Sequence, residues 1–342
     1  MSREITYKEA INEAIAQEME RDSTVIAMGI DIVGGHGSPG VLDAWGGVLG
    51  ATKGLYGKFG DRIMDTPISE SSYIGAAIGA ATQGMRPVAE LMFVDFMGVC
   101  FDQIMNQAAK FRYMFGGKAN TPVVIRCMYG AGFHAAAQHS QCLYPMFTHV
   151  PGIKCVLPST PYDVKGLLIQ SIRDDDPVIF FEHKVLYSMK GEVPEESYTI
   201  PFGKANIVRN GKDVTIVALG RMVHMATAAA TTLAKDGIDC EIIDPRTTSP
   251  LDKDAILTSV KKTGKLVVVD EASPRCNLAT DISAIVAQEA FDALTAPIMM
   301  VSPPHTPVPF ADSLEDLYVP NAAKVETAVR SVVGHRMDVA VR

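Results

Sequence analysis

The sequence predicts an α/β protein made of two doubly wound domains. Three observations carry that expectation. Short Val- and Ile-rich runs alternate with amphipathic helical patterns, as parallel strands joined by crossover helices require. The alternation breaks once, in a polar stretch around Lys190–Ser197, and then restarts. The length of 342 residues matches about two domains at roughly 150 residues each. The boundaries expected are 1–190 for the first domain, 191–204 for a linker, 205–335 for the second domain and 336–342 for a tail.

In the first domain, Tyr7–Arg21 carries Ile11, Ala14, Ile15 and Met19 at helical spacing. A buried strand follows at Ser23–Gly29, and then a Gly-rich stretch from Gly34 to Gly54. Ser69–Gly84 predicts a helix of small residues (Ala76, Ala77, Gly79, Ala80, Ala81) able to approach a neighbouring helix closely. Strands are expected at Arg86–Phe93, Pro122–Met128, Lys154–Pro158 and Pro177–Glu182, with helices at Gly98–Phe115 and Tyr162–Arg173. In the second domain, strands are expected at Asp213–Leu219, Ile238–Ile243, Lys265–Asp270 and Pro297–Val301. Helices are expected at Arg221–Asp236, Lys253–Lys262, Asn277–Leu294 and Ala322–Val333.

Composition excludes several classes. Hydrophobic residues make up 47% and charged residues 20%, too apolar for a disordered chain. Lys and Arg number 31 against 39 Asp and Glu, a net charge of −8 with no basic block, which argues against nucleic acid or an anionic membrane as a partner. Six cysteines at irregular spacing, without C-x-x-C, suggest a reducing compartment and no zinc knuckle. The N-terminus has no signal-peptide or transit character, and no apolar run approaches the ~18 residues a bilayer span needs. A cytoplasmic protein is expected.

Four local motifs carry chemistry, each beside a plainer reading. Gly35-His36-Gly37-Ser38-Pro39-Gly40 satisfies G-x-G-x-x-G, but Asp31-Ile32-Val33 separates it from the strand and Pro39 interrupts it. A long Gly-rich loop explains it better than the dinucleotide fingerprint. Glu70 follows Ser69 at a helix start. It is either a first-turn acid in the helix field behind a Ser cap, or a carboxylate presented to a cleft. His139, in Gln138-His139-Ser140-Gln141, suits proton transfer near neutral pH, or is a structural histidine. Asp174-Asp175-Asp176 directly follows a helix C-terminus, where acids are unfavourable unless solvated or beside a cation. There is no Walker loop, no G-x-S-x-G elbow, no H-E-x-x-H and no G-D-G phosphate/metal motif.

The order of several segments resembles a known family. Asp65-Thr66-Pro67-Ile68-Ser69-Glu70 is followed by Gly75-Ala76-Ala77-Ile78-Gly79-Ala80-Ala81, then by Glu90-Leu91-Met92-Phe93-Val94-Asp95-Phe96. Asp102-Gln103-Ile104-Met105-Asn106-Gln107-Ala108-Ala109-Lys110, Ala137-Gln138-His139-Ser140-Gln141 and Asp244-Pro245-Arg246-Thr247 complete the series. Together they resemble the β subunit of the thiamine-diphosphate-dependent first component of 2-oxo acid dehydrogenase complexes. The segments at Asp43–Gly50, Lys53–Leu55, Phe111–Lys118 and His305–Phe310 are most similar to the acetoin dehydrogenase branch.

The resemblance implies a transketolase-like pyrimidine-binding domain followed by a transketolase C-terminal-like domain. It implies a heterotetramer of two α and two β subunits, with thiamine diphosphate held between unlike chains. The α subunit would supply the missing G-D-G motif and hold Mg2+, so the β chain alone would be inactive. Glu70 matches the glutamate that hydrogen-bonds the aminopyrimidine; a low-polarity cleft would raise its pKa. Phe96 matches the aromatic residue against the pyrimidine face, beside a plain core reading. His139 matches the histidine near the reacting carbon. Val123, Ser171, Asp174 and Asp176 match a potassium site built mostly of backbone oxygens. The implied activity is cleavage of acetoin and transfer of a two-carbon acyl unit to a lipoyl group on an acyltransferase core. Decarboxylation of pyruvate or a branched-chain 2-oxo acid is the alternative, and a non-catalytic scaffold is a second one.

Overall fold

The computed structural model describes residues 2–34 and 45–335. The G-x-G-x-x-G segment at 35–40 and the tail at 336–342 lie outside the described residues. The chain divides into two compact units. One comprises Met1–Gly130 and Met146–Phe202, and the other Ala131–Pro145 and Gly203–Arg342.

The first unit begins with β1 (Ser2–Thr6) and α1 (Tyr7–Arg21). Thr6 caps α1 through the Glu9 amide while Glu9 reaches back to the Thr6 amide, a reciprocal capping box. Then come β2 (Val25–Gly29), α2 (Leu55–Phe59), β3 (Ile63–Asp65), α3 (Glu70–Thr82) and β4 (Arg86–Phe93). The single helix expected over 98–115 is broken instead into a 3-10 turn at Val94–Gly98, a π-helical stretch at Gln103–Ala108 and α4 (Ala109–Met114). Apolar spacing signals a helix but not a switch to i→i+5 pairing. The remaining elements are β5 (Val124–Tyr129), α5 (Tyr144–Thr148), β6 (Lys154–Val156), α6 (Pro161–Arg173), β7 (Val178–His183) and β8 (Lys190–Pro194).

Six of these strands form a parallel sheet in the order β6-β7-β5-β4-β2-β3. Strand side chains alternate between faces. Val25, Ala27, Val88, Val124, Val178 and Phe180 turn to one face, where α1 and α6 pack through Ile11, Ala14, Ile15, Val164 and Leu168. The chain runs from β2 outward to β3, then crosses back to β4 on the other side of β2. Strand order therefore reverses at β2, and in open α/β sheets the crevice beyond such a reversal is where ligands bind.

Part of the polar stretch expected as a linker is β8, which pairs antiparallel with β1 from Ser2↔Pro194 to Thr6↔Lys190. Composition hid this strand because its side chains are largely exposed; main-chain pairing defines it. Just beyond it, the fully buried Lys165 ammonium donates to the carbonyls of Pro194 at 2.6 Å, Glu195 at 3.1 Å and Glu196 at 3.0 Å, and to the Glu13 carboxylate at 2.5 Å.

The second unit contains β9 (Asn206–Arg209), β10 (Val214–Ala218), α7 (Met222–Lys235), β11 (Cys240–Asp244), β12 (Thr247–Ser249), α8 (Lys253–Thr263) and β13 (Leu266–Val269). It ends with α9 (Leu278–Glu289), β14 (Met299–Val301), α10 (Asp312–Tyr318) and α11 (Ala322–Val333). The sheet order is β14-β13-β10-β11-β9, parallel except for β9 at one edge. Ala-rich α7 and α11 pack together on one face over Val214, Ile216, Val267 and Val269. No described helix is long and apolar enough to cross a membrane.

Replacing Lys165 with Met removes the ammonium from the Pro194 and Glu196 carbonyls, leaves the Glu195 carbonyl to Gln17 alone, and removes one partner of Glu13. The expected cost is about 2–4 kcal/mol, read as a lower urea midpoint with an unchanged slope.

Candidate active site

The C-terminal ends of β2, β3 and β4 face the reversal point, and Glu70 enters there. After β3, the Thr66 amide bonds the Gly29 carbonyl at 2.9 Å, which keeps the chain beside β2. The next helix, α3, starts at Glu70 with Ser69 as its N-cap. Ser69 makes no side-chain cap; its hydroxyl meets that of Ser72 at 3.0 Å. The Ser72 amide bonds the Ser69 carbonyl at 3.0 Å instead, and the positive end of the helix favours a carboxylate. The Glu70 side chain is buried at 9% exposure and makes no hydrogen bond or ion pair among the described residues. A carboxyl group so placed has acceptor capacity free for a donor, such as a ring nitrogen carrying a proton.

The groups around Glu70 are protonated. Burial pushes the Cys100 thiol up to about 12, with Glu70 adding to the shift. Burial, then Cys100, then Glu70 raise the Tyr73 phenol. Tyr73 donates to the Glu90 carbonyl at 3.2 Å, tying α3 to β4 one turn past Glu70. The Ser71 hydroxyl donates to the Val99 carbonyl, which ties the same turn to the segment after β4. Phe96 lies in that segment, half-buried and edge-on to Phe93 with centroids 5.9 Å apart. The structure therefore ties the first turn of α3, with Glu70, to the segment that carries Phe96.

Beneath lies a charged cluster that sequence reasoning missed. Glu90 on β4 is in register with Arg126 on β5, and Glu182 lies two residues further along on β7. Arg126 makes a two-pronged bond to Glu182, at 2.7 and 2.8 Å, and a third to Glu90 at 2.9 Å. The Tyr187 hydroxyl donates to Glu182. One guanidinium thus faces two carboxylates in a water-poor place. Burial pushes the Glu90 carboxyl up; Arg126 opposes that shift and Glu182 reinforces it. The signal was present: charges inside otherwise apolar strands must find partners. Gly47, from the described part of the Gly-rich stretch, lies against this cluster. At φ +79, it leaves room for a Glu90 oxygen that would lie 2.7 Å from a Cβ there.

His139 belongs to the segment Ala131–Pro145, which groups with the second unit, whereas Glu70 and Phe96 belong to the first. Its amide bonds the Ala136 carbonyl at 3.4 Å, and its ring is partly exposed. The neighbouring Ser140 hydroxyl is buried without a partner among the described residues.

The three acids after α6 find cations within the protein. Lys154 reaches Asp174 at 2.5 Å and Asp176 at 3.1 Å, Arg112 reaches Asp176 at 2.7 Å, and Arg86 reaches Asp175 at 2.6 Å. Burial works against the Asp176 carboxylate, but Lys154 and Arg112 outweigh it and hold its pKa low. The backbone oxygens are also engaged. Val123 accepts from the Val178 amide, Ser171 from the Asp174 amide, and Asp174 from Arg86. Ammonium and guanidinium groups thus meet the need of these three side chains for positive charge. Among the described residues no group of three or more His, Cys, Asp or Glu is placed to hold a metal ion.

The model of the transketolase pyrimidine-binding domain matches residues 3–190, and that of the transketolase C-terminal domain matches residues 203–325. The chain is 71% identical over 333 residues to the β subunit of acetoin:2,6-dichlorophenolindophenol oxidoreductase of Cupriavidus necator, covering 97% of this chain and 98% of the relative. The chain belongs to the transketolase-type family of dehydrogenase β subunits. The protein of the same name from Bacillus subtilis is 56% identical over 337 residues, covering 98% of each chain. The 2-oxoisovalerate dehydrogenase β subunit of Bacillus subtilis is 44% identical over 331 residues, covering 96% of this chain and 98% of that one. Among solved structures, a split-gene transketolase described as an inactive β4 tetramer aligns with a TM-score of 0.77 at 22% identity, over 96% of this chain and 98% of the other, a likeness of fold.

Within this family's first domain, the charged cluster yields two contrasting variants. Glu182→Gln breaks the two-pronged bond and is expected to cost about 3–5 kcal/mol. Glu90→Gln keeps one acceptor for Arg126 and relieves a buried charge, so its effect at pH 7 is expected within about 1 kcal/mol. Because folding raises the Glu90 pKa, the folded state holds its proton longer and stability falls as pH rises above the unfolded value. Glu90→Gln should therefore gain on the parent between pH 4.5 and 7, measured by urea unfolding at both.

Proposed function

We propose that this chain is the catalytic β subunit of a thiamine-diphosphate-dependent acetoin dehydrogenase component. In this reading it cleaves acetoin with an α partner, in an assembly of two α and two β subunits, releasing acetaldehyde, and the remaining two-carbon unit is oxidised to an acyl group as it passes to the lipoyl disulfide of an acyltransferase core, which is reduced. The observation that carries the reading is the Glu70 carboxylate, buried and without a described partner, at the start of α3 beside the strand reversal. The choice of acetoin is supported by the 71% and 56% identities to acetoin oxidoreductase β subunits, against 44% for the branched-chain counterpart.

Thiamine diphosphate, when bound, supplies an acidic thiazolium C–H and an electron sink. The residues of this chain do the rest. Glu70 would hold the pyrimidine ring nitrogen through a shared proton, and the exocyclic amine would be the base that the cofactor supplies. Phe96 offers an aromatic wall to the pyrimidine. His139 moves a proton at the substrate oxygen. The sequence has no G-D-G motif, so Mg2+ and the diphosphate fall to the α subunit. Asp174 and Asp176 serve the fold through Lys154, Arg86 and Arg112.

Reconstitution with the α subunit tests this reading. The mixture should reduce an artificial electron acceptor with acetoin in preference to pyruvate, and this chain alone should be inactive. Glu70→Gln should lower kcat by roughly 10²–10⁴-fold, the range general acid–base groups supply, with assembly intact on size-exclusion chromatography. Unchanged turnover in that variant would mark the chain as a scaffold. Preference for pyruvate would move it to the decarboxylating branch.

A further inference from the structure

The segment that carries His139 is gripped by buried acids of the second unit. The Ala131 amide donates to Glu271 at 2.7 Å. The Gly132 and His134 amides each donate to Glu315 at 2.9 Å, one to each carboxylate oxygen. The His134 ring nitrogen adds a contact to Glu315 at 2.8 Å, with Asp312 at 3.2 Å. At the far end, the Tyr144 hydroxyl donates to Asp270. Arg221 bonds the Ala131 carbonyl at 3.2 Å. Asp270 and Glu315 are fully buried and Glu271 nearly so.

The backbone between these anchors has an unusual conformation. Gly132, His134 and Ala136 all have positive φ, at 86°, 53° and 58°. Alternating left-handed residues turn successive amides toward one side and form a concavity for an anion. Here Glu315 is the anion. Left alone, His134 and Ala136 would relax toward ordinary φ, because a Cβ disfavours the left-handed region. The turn closed by the His139 amide on the Ala136 carbonyl starts from this strained pair.

We propose that Glu315, supported by Glu271, is the positioning residue for His139. Its carboxylate holds the conformer of His134–Ala136 from which the His139 turn is built. The second domain thereby contributes to catalysis through a backbone clamp, without touching substrate. This rests on the reading in which His139 moves a proton, and deepens it.

The test uses the full chain reconstituted with its α subunit and assayed with acetoin and an artificial acceptor. Glu315→Gln places N–H groups against amides that need an acceptor, while keeping side-chain size. It is expected to lower kcat roughly 10–100-fold with KM changed less than about 3-fold, the pattern of a lost transition-state interaction. In a His139→Ala background the same substitution should cost less than about 2-fold, because residues acting through one another are not additive. Glu315→Asp should recover part of the lost kcat. Amide hydrogen exchange gives a readout independent of turnover: Gly132 and His134 should lose protection in Glu315→Gln. Equal losses with and without His139 would overturn the proposal in favour of a general structural role, as would full kcat with unchanged exchange. If Glu315→Gln does not fold, Glu271→Gln carries the same comparison. A wild-type mixture inactive on acetoin, pyruvate and branched-chain 2-oxo acids would overturn the β-subunit reading instead, while exchange at Gly132 and His134 would still judge the clamp.

Discussion

Arg126 sets the terms for the first domain. It stands in the middle strands of a parallel sheet with essentially no access to water, where a lone guanidinium would be prohibitively costly. Glu182 and Glu90 make it tolerable, and they do so only because β4, β5 and β7 are in the register that brings the three side chains to one face. A one-residue slip of any of these strands would send its charge to the opposite face. The cluster therefore specifies strand alignment at the end of the sheet where α3 begins. Through Tyr73 and the Glu90 carbonyl, that alignment reaches the helix turn bearing Glu70.

The same physics explains how the fold accommodates the acids after α6. Three like charges at a helix C-terminus repel one another and oppose the helix dipole. Arg86 from β4, Arg112 from α4 and Lys154 from β6 converge on them. The charge balance is local and complete, and Arg86 also satisfies the carbonyls of Ile172 and Asp174 that end the helix.

Much of the fold was legible because periodicity reports burial. The helices at 7–21 and 322–333 bury the faces their spacing indicates, and the strands at 86–93 and 178–183, read from continuous apolar runs, are buried on both faces along most of their length. What escaped lacks an apolar signature: β8 pairs through its main chain with exposed side chains, and the Gln103–Ala108 helix differs from an ordinary one only in hydrogen-bond register. The proposed site drew on local signals. Glu70, Phe96 and His139 stood out because they sit in motifs that carry the resemblance. Arg126, Glu182 and Glu315 did not, because their importance lies in which distant residue each one meets, and no local window contains both partners.

The inserted segment Ala131–Pro145 has a consequence for how the chain can be divided. The peptide leaves the first unit after Gly130, returns at Met146, and leaves again after Phe202. The halves are thus stitched three times, although the family's two domain signatures suggest a single seam. A scission at that seam would yield an N-terminal fragment holding His139 but none of Asp270, Glu271 or Glu315. It would also yield a C-terminal fragment in which Glu271 and Glu315 lose the amides of Ala131, Gly132 and His134, while Asp270 keeps those of Ala272 and Ala279. A division that preserves this clamp has to carry residues 131–145 with the C-terminal half.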